Sequence, residues 1–302
     1  MKDTMCGLVK EVNAPSGLVY HTDLSIPEIN DDEVLIKVHC SAICGTDLHI
    51  MEWDEWSQKR IKAPVTVGHE TAGEIVAAGK NVTERKVGDR VSCEPHIPCG
   101  ECYFCKNGMP HICKNVKLFG CTQNGAFAEY AKIRWDCTFL LEDDVTDEAA
   151  CMFEPMGAGI HGVEAAEVNG KTVLVSGCGP IGLTAISASK TFGAVKVIAC
   201  AQPALNSALK CLGAAGRLVC VGLPTKPITF HDMTDDLVYR EVQLTGVSGR
   251  KIWETWEDFA KVMKGPYFKL DQVIGGRFPM KDFEAALAQI HSGVPGKMIL
   301  YP

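Results

Sequence analysis

Four cysteines with short, regular spacing form the most specific chemical signal in this sequence. They follow the pattern Cys-x2-Cys-x2-Cys-x7-Cys and are Cys99, Cys102, Cys105 and Cys113. Thiolates are soft ligands, and a structural zinc ion takes four of them in a closed tetrahedron. Four cysteines can also hold an iron–sulfur cluster. The segment therefore predicts a metal site without a position open to substrate, and zinc is the metal we expect.

A second set of possible metal ligands lies nearer the N-terminus, in the segments 44–49 and 68–70. It offers the thiol of Cys44, the imidazole of His69 and the carboxylate of Glu70. One ligand of each kind can hold zinc and leave a position for water or substrate. Each residue alone also has an ordinary explanation, as a buried cysteine or a hydrogen-bonded core histidine. Spacing by itself does not join these residues, so both explanations stay open at this point.

A glycine-rich turn, Gly-Cys-Gly-Pro-Ile-Gly at 177–182, follows an apolar strand pattern and opens a helical one. In that context the first glycine makes the tight turn, the second admits a pyrophosphate, and the third lets helix and strand approach closely. The phosphates would bind at the positive N-terminus of the helix. The turn predicts dinucleotide binding, and it favours zinc over an iron–sulfur cluster at the four cysteines.

Two kinds of secondary structure position these motifs. Up to about residue 155, short strand patterns such as 34–39, 73–78 and 89–92 alternate with turn residues, which is typical of a barrel-like β unit. Beyond it, the buried strands 171–176 and 195–199 flank a helix at 181–192, as in a βαβ unit. The remaining predicted elements are strands at 217–221, 242–247 and 297–301 and helices near 205–212, 253–263 and 280–291.

Composition excludes several classes of protein. The chain has 302 residues, 46% of them hydrophobic, and a net charge of -7, without the basic run that nucleic-acid binding needs. No stretch approaches the roughly 18 apolar residues of a membrane span, and residues 1–6 lack the apolar core of a secretory signal. Fifteen cysteines, an odd number, argue against a disulfide scaffold. We therefore expect a cytoplasmic protein that binds neither nucleic acid nor membrane.

Several longer segments, in this order, resemble the zinc-containing medium-chain dehydrogenases. They are Ile-Cys-Gly-Thr-Asp-Leu-His at 43–49, Glu-Trp-Asp-Glu-Trp at 52–56, Gly-His-Glu at 68–70, Glu-Pro-His-Ile-Pro-Cys-Gly at 94–100, Lys-Leu-Phe-Gly at 117–120, Gly-Ala-Phe-Ala-Glu-Tyr at 125–130 and Gly-Arg-Lys-Ile-Trp-Glu-Thr-Trp at 249–256. The similarity covers nearly the whole chain. Within the family, the Glu-Trp-Asp-x-Trp segment is similar to the subgroup that oxidises L-threonine, and it separates that subgroup from general alcohol and polyol dehydrogenases.

The resemblance implies an α/β protein with two domains. Residues 1–155 and 249–302 would form a GroES-like β-barrel catalytic domain. Residues 156–248 would form a Rossmann domain, a doubly wound parallel sheet that binds the cofactor. A homotetramer is implied by the resemblance alone.

The resemblance also implies roles for individual residues. Cys44, His69 and Glu70 would hold a catalytic zinc ion, with Glu154 beside it as an alternating ligand or a partner of the bound water. Thr46 and His49 would relay a proton to solvent, and His96 would lie near the substrate and help to select it. The residues that would contact the cofactor are Gly177, Gly179, Ile181, Gly182, Val221, Gly222, Leu223, Val247 and Ser248.

The implied reaction is oxidation of the C3 hydroxyl of L-threonine to 2-amino-3-oxobutanoate, with hydride transfer to NAD. Zinc would lower the pKa of that hydroxyl as a Lewis acid, and a histidine suits the relay because its pKa lies near neutrality. NAD is the family's usual cofactor. The alternative within the family is a polyol or secondary-alcohol dehydrogenase, which shares the zinc and the nicotinamide cofactor.

The sequence departs from the family pattern after the strand at 195–199. An acidic residue that binds the adenosine ribose is expected there, but the chain reads Ala-Cys-Ala-Gln-Pro at 199–203. By comparison with the family, a β-α-β piece on the order of 45 residues is absent after Cys200. We expect that the sequence joins two stretches of a longer protein. A genuine deletion would instead indicate a zinc-stabilised protein without catalytic activity.

Overall fold

The computed structural model describes residues 4–201, 205–222 and 229–302. Its strands are β1 (Thr4–Lys10), β2 (Leu18–Ser25), β3 (Glu33–Ala42), β4 (Val65–Thr66), β5 (Glu70–Ala78), β6 (Arg90–Cys93), β7 (His96–Ile97), β8 (Lys117–Leu118), β9 (Tyr130–Arg134), β10 (Thr138–Leu140), β11 (Thr172–Ser176), β12 (Lys196–Cys200), β13 (Arg217–Cys220), β14 (Gln243–Gly246), β15 (Ile274–Pro279) and β16 (Lys297–Tyr301). Its α-helices are α1 (Gly45–Glu52), α2 (Glu55–Gln58), α3 (Tyr103–Lys106), α4 (Asp147–Cys151), α5 (Phe153–Ala166), α6 (Pro180–Thr191), α7 (Leu205–Cys211), α8 (Glu254–Lys264) and α9 (Phe283–His291).

These elements form two compact units. The first comprises Met1–Pro155 and Ile274–Pro302, and the second comprises Met156–Val273. The predicted domain division differs from this one in residues 249–273, which belong to the second unit. The physical reason is that α8 packs against α6.

The first unit is built on a seven-stranded sheet in the order β10-β6-β5-β3-β16-β15, with β9 also paired to β3. Its neighbours are antiparallel except for the parallel pair β15 and β16. A second sheet has the order β2-β1-β4. The strands predicted at 34–39, 73–78, 89–92 and 297–301 are confirmed as β3, β5, β6 and β16.

Alternating apolar side chains explain why this sheet forms. Val34, Ile36 and Val38 occupy every second position of β3 and are buried in one apolar cluster with Ile75 and Val91. A second cluster contains Leu8, Ile50, Phe127 and Leu300 among its buried members. The last strand of the chain therefore shares a core with the first.

The second unit contains the predicted strand–helix–strand pattern. β11 and β12 are parallel, with Val173 opposite Val197, and α6 connects them. β13 and β14 form another parallel pair. Among the described residues these pairs are separate two-stranded sheets. The chain passes from the first of these sheets to the second between Cys200 and Arg217, and the sequence predicts an absent segment there.

Within the described ranges, no helix combines the length and the apolar character needed to cross a membrane.

Candidate zinc sites and dinucleotide turn

The register of two strands brings the first set of predicted ligands together. Ala42, the last residue of β3, is paired with Glu70, the first residue of β5. Cys44 follows Ala42 by two residues and precedes α1, while His69 immediately precedes Glu70. The ligand atoms of Cys44, His69 and Glu70 consequently lie within 4.8 Å of one another.

A glycine before His69 fixes the direction of the chain at this point. Gly68 has φ +90°, and a Cβ placed there would lie 2.2 Å from Cδ1 of Phe127. A side chain at residue 68 would therefore be strained and would collide with a buried aromatic ring. Glycine at this position lets His69 enter the cluster.

Asp47 connects two of the ligands. Its Oδ2 accepts a hydrogen bond from the backbone N–H of Cys44 at 2.8 Å, and its Oδ1 lies 3.6 Å from Nδ1 of His69. Burial acts to lower the pKa of His69, but the Asp47 carboxylate and Cys44 act to raise it, and the net direction is upward. Asp47 thus lies where its carboxylate can orient the imidazole.

Glu70 is paired with a buried lysine. Nζ of Lys297, on β16, donates hydrogen bonds to Oε1 of Glu70 and to the carbonyl oxygen of Ile43, the latter at 3.3 Å. Burial raises the pKa of Glu70, and Lys297 opposes that effect. The lysine thereby favours the carboxylate form at a buried position.

The donor set fits a zinc ion. Among the described residues, Oε2 of Glu70 is buried without a hydrogen-bond partner, while its Oε1 is bound by Lys297. Buried polar atoms of this kind call for a ligand, because leaving them unsatisfied is costly. A thiolate, an imidazole and a carboxylate suit zinc and leave a coordination position open.

The other residues of this predicted site lie as follows. Oγ1 of Thr46 is 3.7 Å from Sγ of Cys44. Glu154, near the start of α5, is buried and raises the pKa of Glu70, although it lies outside the group of three ligands. Nδ1 of His96 lies 2.9 Å from Oε1 of Glu94, which is fully buried. His49 lies beside Asp54.

The four predicted cysteines form a compact second cluster. Their sulfur atoms lie within 4.8 Å of one another, and three of the separations are 3.4, 3.5 and 3.8 Å. A tetrahedral site with zinc–sulfur bonds of about 2.3 Å has sulfur–sulfur separations of about 3.8 Å. Backbone N–H groups of Cys105 and Lys114 lower the pKa of Cys102 to about 6. Both the distances and the easily formed thiolate fit a structural zinc ion.

The glycine turn has the geometry that the motif predicts. Gly177 follows β11 with φ +104°, and its N–H donates to the carbonyl oxygen of Cys200 at 2.9 Å. Gly179 is the N-cap of α6, with Pro180 in the first turn. A Cβ on Gly182 would lie 1.8 Å from the carbonyl oxygen of Gly177, whereas Cβ atoms on Gly177 and Gly179 would meet nothing within 4 Å. The turn therefore presents open space before a helix N-terminus, which fits a pyrophosphate.

The remaining predicted cofactor residues follow the second pair of strands. Val221 and Gly222 come after β13, Val247 and Ser248 come after β14, and the Val247 N–H donates to Cys220 at 3.0 Å. Gly162 of α5 approaches Val221, since a Cβ there would lie 2.6 Å from Cγ2 of that valine. Leu223 lies outside the described residues.

Comparison with known proteins identifies the family of this chain. Residues 30–143 match the model of the alcohol dehydrogenase GroES-like domain. L-threonine 3-dehydrogenase from Bacillus licheniformis is 34% identical over 349 positions, with 100% of both chains covered. L-threonine 3-dehydrogenase from Thermococcus kodakarensis is 33% identical, with 93% of both chains covered. This chain belongs to the zinc-containing alcohol dehydrogenase family, whose fold combines a GroES-like domain with a Rossmann domain.

Solved structures share this fold. Galactitol-1-phosphate dehydrogenase from Escherichia coli has a TM-score of 0.89 and 25% identity, covering 99% of this chain and 100% of its own. An alcohol dehydrogenase from Escherichia coli CFT073, solved with NADH, has a TM-score of 0.85 and 24% identity, with 100% of both chains covered.

The alignment with the Bacillus licheniformis protein also contains positions that this chain does not fill. It runs over 349 positions, whereas this chain has 302 residues, so about 47 positions of the relative face no residue here. Their total number is close to the roughly 45 residues of the β-α-β piece that the sequence predicts to be absent.

Sequence reasoning missed four residues that contact the predicted site: Asp47, Asp54, Glu94 and Lys297. Asp47 stands three residues after Cys44, where an acidic side chain often closes the first turn of a helix, so a local signal existed. Lys297 gave no such signal, because 227 residues separate it from Glu70.

Proposed function

We propose that this chain oxidises the C3 hydroxyl of L-threonine to 2-amino-3-oxobutanoate and transfers the hydride to NAD. The observation that carries the proposal is the cluster of Cys44, His69 and Glu70, whose closely spaced donor atoms suit a catalytic zinc ion. The choice of substrate is supported by two relatives named L-threonine 3-dehydrogenase, whose matches cover 100% and 93% of this chain. The segment Glu-Trp-Asp-x-Trp at 52–56 supports the same choice.

In this proposal, Cys44, His69 and Glu70 hold the catalytic zinc, which when bound acidifies the substrate hydroxyl as a Lewis acid. Glu154 serves as an alternating ligand of the zinc or as a partner of the bound water. His96 contributes to substrate selection. The proton of the hydroxyl passes by way of Thr46 and His49 to solvent. Cys99, Cys102, Cys105 and Cys113 hold the structural zinc.

The cofactor contacts in this proposal belong to the second unit. Backbone N–H groups of the glycine turn bind the pyrophosphate at the start of α6. The further contacts are Ile181, Val221, Gly222, Leu223, Val247 and Ser248. The ribose carboxylate of the family pattern has no counterpart, because no Asp or Glu occurs between residues 168 and 231. The phosphate turn therefore fits a dinucleotide, while the adenosine end lacks its usual anchor.

Two other functions have some support. A polyol or secondary-alcohol dehydrogenase is favoured by the likeness to galactitol-1-phosphate dehydrogenase. A zinc-stabilised protein without catalytic activity is favoured by the missing ribose carboxylate.

A substrate panel tests the proposal. NADH formation is followed by absorbance with L-threonine, 2,3-butanediol or sorbitol as substrate, using protein with a measured zinc content. We expect turnover of L-threonine well above that of both polyols. Turnover of a polyol without turnover of threonine would assign the chain to another subgroup. Absence of NADH binding by fluorescence would support the non-catalytic alternative.

A further inference from the structure

The segment Glu-Trp-Asp-Glu-Trp at 52–56 folds back onto the last turn of α1. Trp53 ends this helix in the left-handed conformation, φ 55° and ψ 45°, and its N–H donates to the carbonyl oxygen of His49 at 2.9 Å. A residue in this conformation commonly ends a helix and turns the chain away from the helix axis. Asp54 is thereby brought next to His49, five residues earlier.

The two carboxylate oxygens of Asp54 have different partners. Oδ1 accepts a hydrogen bond from the backbone N–H of Ser57 at 3.0 Å and caps α2. Oδ2 lies 2.7 Å from Nδ1 of His49. The Ser57 N–H, and next to it His49, lower the pKa of Asp54, so this side chain is a carboxylate near neutral pH. A carboxylate only accepts hydrogen bonds, and Nδ1 of His49 must therefore be the donor.

A tryptophan further defines the position of the imidazole. The ring of Trp56 lies 6.2 Å from that of His49 at an angle of 44°, and the guanidinium of Arg60 lies 5.2 Å from the Trp56 ring centre. The His49 side chain is 40% exposed, so water reaches it. An imidazole with Nδ1 bound to a carboxylate and with access to water suits delivery of a proton to solvent.

We propose that Asp54 is the positioning residue of the proton relay: it binds Nδ1–H of His49 and so makes Nε2 the atom that accepts the proton. The proposal rests on the proposed relay role of His49. The proton that leaves the substrate hydroxyl binds to Nε2, giving an imidazolium ion beside the Asp54 carboxylate. The imidazolium then releases one proton to water, and the neutral Nδ1–H form is restored.

The central test replaces Asp54 by asparagine. In Asp54→Asn the side-chain oxygen still caps α2, because asparagine is as good an N-cap as aspartate. Its NH2 group now faces Nδ1 of His49 and favours the opposite tautomer, with the proton on Nε2. The ¹⁵N chemical shifts of the imidazole nitrogens report the tautomer directly. The signal of His49 is assigned among the nine histidines by its loss in His49→Asn.

We expect neutral His49 to carry its proton on Nδ1 in the wild type and on Nε2 in Asp54→Asn. We expect kcat for threonine to fall on the order of 10- to 100-fold, toward the low end for proton transfer by a side chain, since water shares the task. The KM for threonine stays within about threefold, because binding of the substrate does not use this hydrogen bond.

Two further variants separate positioning from charge and from folding. Glu55→Gln makes the same change of charge on the adjacent residue, whose carboxylate binds Lys59, and it should change neither the tautomer nor kcat. Asp54→Ser keeps a capping hydroxyl that is too short to reach His49. It should fold with an unchanged melting temperature and still lose activity.

The failure of this proposal is distinguishable from failure of the proposed function. If His49→Asn retains the wild-type kcat, the relay role of His49 is wrong. If His49→Asn is impaired but Asp54→Asn keeps the wild-type tautomer or the wild-type kcat, the positioning role of Asp54 is overturned.

Discussion

In the first unit, the side chains of Lys297 and Glu70 form a buried ion pair. Both side chains are removed from water, with 10% of the lysine side chain and none of the glutamate exposed. A buried ion pair gains little stability over apolar packing, but loss of one partner leaves a charge without compensation. Lys297 therefore matters most for keeping the Glu70 carboxylate charged beside Cys44 and His69.

Lys297→Met should lower the free energy of unfolding by about 3 kcal/mol, because it strands a buried carboxylate. Urea denaturation measures the effect. The matched control is Lys59→Met, which removes an exposed partner of Glu55 and should leave the free energy of unfolding nearly unchanged. Equal losses in the two variants would contradict the role given to burial.

The sequence predicted functional residues correctly where those residues lie close together in the chain. The four cysteines lie within 15 residues, and their spacing alone indicated the cluster that the structure contains. The set of Cys44, His69 and Glu70 depended on the resemblance, because only the pairing of Ala42 with Glu70 joins two distant segments. Lys297 depends on the pairing of β16 with β3, which no local pattern encodes.

The shape of the glycine turn before α6 requires a glycine at residue 182. Gly182 lies so close to the carbonyl oxygen of Gly177 that any Cβ must displace the backbone. Gly213 of the same unit offers a contrast, because a Cβ there would meet nothing within 4 Å.

Gly182→Ala should weaken binding of NADH by at least about tenfold and lower stability by about 1–3 kcal/mol, as overpacking does. Gly213→Ala should leave both nearly unchanged. Fluorescence titration with NADH and thermal unfolding measure the two effects. If NADH bound to Gly182→Ala as tightly as to Gly213→Ala, the turn would not be the phosphate site.

A salt bridge joins α4 to β15 in the first unit. Arg277 donates two hydrogen bonds to Glu148, at 2.6 and 2.7 Å, and Tyr301 donates a third. The arginine in particular lowers the pKa of Glu148 below the usual value of a glutamate, about 4.5. Since the folded pKa is the lower one, the stabilisation is present above about pH 4.5 and is lost as the pH falls through the folded pKa.

Glu148→Gln should therefore destabilise the protein by about 1 kcal/mol at pH 7 and by less below pH 4. The measurement is the urea midpoint of wild type and variant as a function of pH. A difference between the two proteins that stayed constant across this range would contradict the assignment.

The sequence predicted the individual strands and helices better than it predicted which strands pair. Apolar runs and the glycine motif identified β11, α6 and β12, because period and turn chemistry are local. β15 went unpredicted: its sequence, Ile-Gly-Gly-Arg-Phe-Pro, contains two glycines and a proline, which are unfavourable in strands. Pairing with β16 outweighs that preference.

The charge of the whole molecule is unevenly distributed along the chain. The net charge is -7, yet the 64 residues from 168 to 231 contain six Lys and Arg residues and no Asp or Glu. This stretch includes the glycine turn and the three strands β11, β12 and β13. A carboxylate after the second strand is what normally selects NAD by binding the ribose and repelling a 2′-phosphate.

We therefore expect NADH and NADPH to bind with dissociation constants that agree within about threefold, since nothing in this stretch repels a phosphate. Parallel fluorescence titrations at one salt concentration measure the ratio. A preference for NADH greater than about 30-fold would show that another carboxylate takes the missing role.

The mass of the purified chain tests whether the piece absent after Cys200 belongs to the protein. An intact mass above the 32.7 kDa of this sequence by the weight of roughly 47 residues would identify the absent piece as part of a longer protein. The homotetramer stays a prediction, and sedimentation of the same sample tests it.

The most direct test of the proposed reaction follows the hydrogen on C3 of the substrate. L-Threonine labelled with deuterium at C3 is incubated with NAD and the zinc-loaded protein, and the reduced cofactor is analysed by mass spectrometry. The proposed function predicts NADH that carries one deuterium atom per molecule formed. Unlabelled NADH, or no reduced cofactor from threonine, would contradict it.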